Sequence, residues 1–251
     1  MAAASGVSAG HSIRLPGSRY DRLFFAAMIV VLTATMVVGF AKTYFLAGIF
    51  RAKLPSALIH IHGVAFTGWF LLLLAQSALA VVGRVDLHRK LGIAGIVLAA
   101  LMLPLGILAT AEFLVREAAE PWILRASVMP VAELFIFAVL ATVAFLARRK
   151  PHLHKRLILL ATVGLIGAAV GRIGFLPYWH FHGVDALRLA WAYTYVFLIP
   201  LVAYDVWSTR KLNGATVWGS LFMIGVQQAS LLVCSTAPWY AFARWMQSWG
   251  I

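Results

Sequence analysis

An all-α bundle of seven transmembrane helices is the fold the sequence predicts, and three observations carry it. Hydrophobic residues make up 63% of the 251 positions and charged residues 12%, with a mean hydropathy of +0.90. A soluble domain carries about twice that charged fraction, so this chain has too little polar surface to cover a water-facing globule. Seven apolar runs are each long enough to cross ~30 Å of hydrocarbon at ~1.5 Å per residue. The charges collect between those runs. A backbone in lipid must satisfy its own amides, which leaves helices as the spanning element.

The runs lie at roughly 23–41, 56–82, 91–114, 128–147, 157–176, 187–206 and 216–236. No Ser/Pro-rich linker divides them, so residues 23–251 read as one transmembrane domain. Residues 1–22 are rich in Gly, Ala and Ser and carry Arg14, Arg19 and Arg22. They lack a signal-peptide apolar region and read as a disordered cytosolic tail before an uncleaved first helix. Of the 21 Lys and Arg, 13 fall in that tail and in the connections beginning at Arg84, Arg148 and Arg210, against 8 on the other side. Short connections obey the positive-inside rule, which sets the N-terminus in the cytoplasm and the C-terminus outside. The net charge of +13 is therefore topogenic. It points to the lipid bilayer as partner and away from nucleic acid. Trp122, Trp179, Trp207, Trp218, Trp239, Trp245 and Trp249 fall near run ends, as interfacial aromatics do. Cys234 is the single cysteine, so no intrachain disulfide forms.

An internal repeat is visible. Leu87-His88-Arg89-Lys90-Leu91 matches Leu153-His154-Lys155-Arg156-Leu157, and Thr209-Arg210-Lys211-Leu212 matches both without the histidine. His60-Ile61-His62-Gly63 and His180-Phe181-His182-Gly183 precede the first and third of these at nearly equal spacing. Helices two–three, four–five and six–seven then read as three repeated hairpins behind a separate first helix.

Ionisable groups within spans are costly and usually face the bundle interior. Here they are Glu112, Glu133 and Arg172, with His60, His62, His180 and His182 near the same face. A metal site there would draw on His60, His62, His182, Glu112 and Glu133, with Arg172 pairing one of the carboxylates. Residues two apart on a helix point about 200° apart, so His60 and His62 cannot both face one ion. His62, Trp69 and Gln76 share one face, which makes His62 the inward residue and Gln76 a deeper donor. His88 and His154 lie at the opposite membrane edge. A two-haem pathway would use His88 and His154 inside and His62 with His180 or His182 outside. The plainer reading of His88 and His154 is a basic anchor for lipid phosphates.

Three functions follow from these residues. The first is a haem- or metal-binding redox protein, using haem b or a transition metal and a redox partner or quinone. The second is a proton-coupled transporter or carrier in which Glu112, Glu133 and the histidines exchange protons. The third is a membrane assembly or scaffold protein with structural ion pairs. No Cys-x-x-Cys, Cys-x-x-Cys-His, His-Glu-x-x-His, Gly-x-Ser-x-Gly or phosphate loop is present, so c-type haem and the common soluble catalytic frameworks have no support.

With His60-Ile61-His62-Gly63, Trp69, Gln76, Gly83-Arg84, Leu87-His88-Arg89-Lys90-Leu91-Gly92, Pro151-His152-Leu153-His154-Lys155-Arg156-Leu157 and Tyr204-Asp205, helices two to seven resemble a group of multi-helix bacterial membrane proteins. The resemblance implies a multi-pass protein of the bacterial inner (plasma) membrane and supplies no activity. A weaker similarity to di-haem membrane cytochromes b rests on the paired membrane-edge histidines.

Overall fold

The computed structural model describes residues 19–52, 55–118, 122–173 and 184–251. Among these the secondary structure is helical and contains no strand. Seven helices are long and apolar enough to cross a membrane: Arg19–Phe45, Ala57–Val81, Val85–Arg116, Ile123–Leu146, Pro151–Val170, Asp185–Thr209 and Gly214–Val233, here spans one to seven. The protein is an all-α, multi-pass membrane protein.

Several spans are built from shorter pieces. Span one is α1 (Arg19–Phe40) running into a π-helical turn, Ala41–Phe45. Spans two and three are the unbroken α2 (Ala57–Val81) and α3 (Val85–Arg116). Span four joins α4 (Ile123–Ala126) to α5 (Val128–Leu146). Span five is α6 (Pro151–Val163) followed by α7 (Gly167–Val170). Span six is α8 (Val184–Tyr195) with α9 (Leu198–Thr209), and span seven is α10 (Gly214–Val233). A short α11 (Ala237–Gln247) closes the chain.

Local chemistry sets the ends. Ser56 caps α2 by accepting the Ile59 N–H at 3.1 Å, and Asn213 caps α10 through the Ala215 N–H at 2.9 Å. Pro151 opens α6, where its missing N–H costs no helical bond. The turn from α2 to α3 passes through Gly83 at φ +79°, a conformation that glycine adopts without strain.

Span five is the central element: 72% of its most apolar stretch is buried, against 22–50% for the others. Leu159, Leu160 and Ile166 on it are enclosed by Leu32, Trp69, Ile136, Phe137, Leu201 and Met223 from five other spans. Close approach is allowed by small residues, since a Cβ on Gly39 would overlap the Ala169 carbonyl. Val30, Val97, Phe135, Ile199 and Leu221 point outward, giving the apolar exterior that lipid requires.

Three features depart from the sequence reading. Helices three and five begin at Val85 and Pro151, earlier than the apolar runs at 91 and 157, so His88 and His154 lie in their first turns. Spans five and six are each interrupted. The C-terminal segment forms α11, which buries Trp239, Ala243 and Met246 and exposes Phe242 and Trp245.

Candidate functional site

The interruption in span five is the first part of the site. After Val163 the backbone tightens to i→i+3 bonds, with Leu165 N–H on the Thr162 carbonyl at 3.1 Å and Ile166 N–H on Val163 at 3.2 Å. That shift frees the Ala168 N–H, which donates instead to Glu133 Oε1 of α5 at 3.1 Å. The Ala168 carbonyl accepts from Arg172 Nη1 at 2.7 Å. Glu133 and Arg172 thus hold the two backbone polar groups of one residue. Gly167 makes the approach possible, because a Cβ there would overlap Glu133 Oε1 and lie 3.3 Å from the Trp191 ring.

Depth follows from the helix rise. Glu133 is 10 residues past Ile123 and 13 before Leu146, so about 15 Å and 20 Å from the two ends of its span. Thr194 and Gln227 lie at a similar level on spans six and seven, about 20 Å from the ends at Thr209 and Gly214. Both are fully buried, and Gln227 Nε2 donates to Thr194 Oγ1 at 3.4 Å. Trp191 Nε1 and Gln227 Oε1 find no hydrogen-bond partner among the described residues. Beside them span six is interrupted: Phe197 N–H bonds the Thr194 carbonyl at 3.2 Å, and Pro200 supplies no N–H for the next turn. A polar layer therefore crosses the bundle at the level of two helix breaks.

The end of the bundle that carries Arg84, Arg148 and Arg210 (the basic end) is closed by charge. Asp205, fully buried, accepts from Arg156 Nε at 3.0 Å and from Nη2 through Oδ1. Its Oδ2 accepts from the Asn213 N–H at 3.1 Å and from Thr216 Oγ1. Asp21 of α1 accepts from Tyr204 OH at 2.8 Å and pairs with Lys155. Lys155 and Arg156 lie 4.6 and 5.4 Å from the Phe25 ring, and Tyr204 stacks on Phe24. Two acids and two bases, balanced in charge, tie spans one, five, six and seven together. Buried ions persist only when paired and hydrogen-bonded, and this network satisfies both conditions. Sequence reasoning missed its acids. The signal was present in Asp205, a lone acid within an apolar run.

Of the expected outer metal set, His60, His62, Glu112 and Glu133 are described, and they do not come together. Among the described residues no three His, Cys, Asp or Glu side chains converge on one point. His60 faces outward, its Nδ1 3.4 Å from Tyr44 OH. Glu112 is held by Ser56 Oγ at 2.6 Å beside a cavity of about 630 Å³. Glu133 is committed to Ala168. Arg172 forms no salt bridge with Glu112 or Glu133; its guanidinium lies over the Phe40 ring at 4.7 Å. His180 and His182 lie outside the described residues. The His-x-His-Gly segment instead packs helices, since a Cβ on Gly63 would sit 2.7 Å from the Tyr44 ring.

His62 is half-buried against Phe66, ring centroids 4.1 Å apart, with Nδ1 unpartnered among the described residues. Trp69 is buried, donating to Thr162 Oγ1 at 3.2 Å, and Gln76 is buried one turn from the basic end. There His88 Nδ1 donates to the Gln76 carbonyl at 3.2 Å and His154 Nδ1 to the Ala144 carbonyl at 2.8 Å. The two imidazoles are electrostatic neighbours.

No family model, no curated protein and no solved structure matches the chain. Fold and site together define a multi-pass membrane protein with a charged closure at one end and a polar layer in its core.

Proposed function

We propose that this protein is a proton-coupled carrier with Glu133 as its proton site. The observation that supports the reading is the place of Glu133: buried, mid-span, and bonded to an N–H released where span five is interrupted. Carriers present binding groups inside the membrane on discontinuous helices, because irregular backbone is tolerated there only when it is enclosed. An ionisable residue at that depth is costly without a task. Thr194, Gln227 and Trp191 extend the polar layer beside it. The Asp21–Lys155 and Arg156–Asp205 pairs seal the basic end, and the cavities lie at the other. With the N-terminus in the cytoplasm, as the charge asymmetry favours, the sealed end faces inward. Transport then requires this network to part as the outer end closes.

The test is proton entry into pyranine-loaded proteoliposomes when organic anions, cations and neutral solutes are offered outside. The reading predicts entry with at least one solute and none in Glu133→Gln, with that variant folded as judged by its thermal transition. Wild-type rates in Glu133→Gln, or no solute-driven entry at all, would refute it.

A second reading rests on a different observation. His88 and His154 occupy matching sequence positions, and each fixes its tautomer through an Nδ1–H bond to a backbone carbonyl. That arrangement leaves Nε2 as the ligand atom of a metal-bound imidazole. The residues suit axial ligation of haem b, which when bound would supply one-electron chemistry. The cavities of about 630 and 450 Å³, however, both lie at the opposite end. A Soret band in purified protein, lost in His88→Ala and His154→Ala, supports this reading; its absence removes it.

A further inference from the structure

We propose that the cavity between the start of α2 and the end of α3 binds an alkylammonium, a protonated amine on an apolar chain, with Glu112 as its counter-ion. The cavity holds about 630 Å³, within the range of small-ligand sites. The cap and first turn of α2 line one side of it, and the last turns of α3 the other. Glu112 lies about 6 Å from the Arg116 end of span three. It is shallower than Glu133, and the site stands apart from the carrier reading.

Among the described residues four acids are buried: Asp21, Glu112, Glu133 and Asp205. Asp21 pairs with Lys155 and Asp205 with Arg156, and Glu133 takes the Ala168 N–H. Glu112, 9% exposed, has neither a cation nor a backbone amide. Its Oε2 accepts from Ser56 Oγ at 2.6 Å, and the same Oγ accepts the Ile59 N–H at 3.1 Å, so the α2 cap fixes the carboxylate from one side. Oε1 accepts no hydrogen bond among the described residues. Arg116, which also lines the cavity, pairs with Glu117 at 3.2 Å. A tether between α2 and α3 needs only a neutral acceptor for Ser56. A buried carboxylate needs a counter-ion or several donors, and here the cavity is where one can come from.

The walls select the rest of the ligand. Ala57, Leu58, Val115 and Ile251 bring hydrocarbon to the cavity. Gln247 Nε2 donates to the Leu114 carbonyl at 2.8 Å, which ties α11 to the end of α3 and brings Ile251 to the wall. A metal cation takes about six or more oxygens and would trade its hydration for one carboxylate. An ammonium carries three donors and no acceptor. It can give one to Oε1, keep the others for water at the mouth, and lay its chain on the apolar walls.

The N–H matters as much as the charge. A charge-assisted hydrogen bond from ammonium to carboxylate is among the stronger kinds, and a quaternary ammonium cannot make it. At this depth the group can come from an aminophospholipid headgroup or from a free amine, and both present the same donor to Oε1.

Octylamine, protonated at neutral pH, is the probe, bound at equilibrium to the full chain in nonionic detergent micelles. One saturable site is expected, competed poorly by octyltrimethylammonium, ammonium ion or octanol at equal concentration. Glu112→Gln keeps an acceptor for Ser56 Oγ and should weaken binding about tenfold. Val115→Trp fills the cavity, keeps the carboxylate and should weaken binding too; should Glu112→Gln fail to fold, this variant decides. Competition by a short-chain phosphatidylethanolamine supports the site and assigns it to a lipid headgroup. No such competition supports it and assigns a free amine. Wild-type affinity in Glu112→Gln or in Val115→Trp overturns the proposal, as does octyltrimethylammonium or ammonium ion competing as well as octylamine. Octylamine binding without solute-driven proton entry overturns the carrier and keeps the site. Proton entry without octylamine binding does the reverse.

Discussion

Glu133 accepts a hydrogen bond from the Ala168 N–H at 3.1 Å, across the point where span five loses its regular helical bonding. A carboxylate from a neighbouring helix there replaces the carbonyl of Gly164 as the partner of a backbone amide. Arg172 holds the carbonyl of the same residue. The carrier reading depends on this junction, and the mutational consequences follow from its crowding.

Gly167→Ala puts a methyl where Glu133 Oε1 lies. The carboxylate must move away and the Ala168 N–H loses its partner. Overpacking together with an unsatisfied buried amide costs about 2–3 kcal/mol. Thermal unfolding in detergent should show a lowered transition, and solute-driven proton entry should fall with it. Gly225→Ala is the control, because a Cβ there meets nothing within 4 Å. Helix propensity alone should make it neutral or stabilising by up to ~1 kcal/mol.

At the basic end, Asp205→Ala leaves the Arg156 guanidinium buried without its counter-ion. Removal of one partner of a buried pair costs about 3–5 kcal/mol, so this should be the most destabilising single change in the network. Arg156→Met combined with Asp205→Leu removes both charges and should recover part of that loss. Chemical unfolding of the three variants in mixed micelles checks the order. A double variant no more stable than Asp205→Ala would mean that the Thr216 and Asn213 bonds outweigh the charge.

The His-x-His-Gly segment makes a different prediction. Gly63 is required by the Tyr44 ring, so Gly63→Ala should destabilise by roughly 1–3 kcal/mol. Tyr44→Leu should relieve most of that in the double variant. His60→Ala, an exposed side chain whose Nδ1 is only 3.4 Å from Tyr44 OH, should shift stability by less than about 0.5 kcal/mol. A double-mutant cycle on Tyr44 and Gly63 measures the coupling; additive effects would contradict the packing account.

The spans were legible because hydropathy over twenty residues is a strong signal, and all seven were placed. Helix starts were less so: Val85–Lys90 and Pro151–Arg156 are helical yet too polar for an apolar run to include. Calling Lys155 and Arg156 connection charges hid Arg156 as the partner of Asp205. α11 is too short and mixed to cross a membrane, and its tryptophans were read as anchors at the end of span seven. Glu133 stood out as an acid within a span. Its partner did not, because the break at residues 164–166 keeps near-helical angles and contains no proline, so nothing local announces a free amide. His60 and His62 drew attention as ligands, and the Gly63 that follows them is packed against Tyr44 on another helix.

The most direct test of the central claim is infrared difference spectroscopy of the protein in lipid, recorded as the pH is stepped between alkaline and acid buffer. The account predicts a protonated-carboxyl band that grows as the pH falls, reverses as it rises, and is missing in Glu133→Gln. Identical difference spectra in wild type and Glu133→Gln would contradict it.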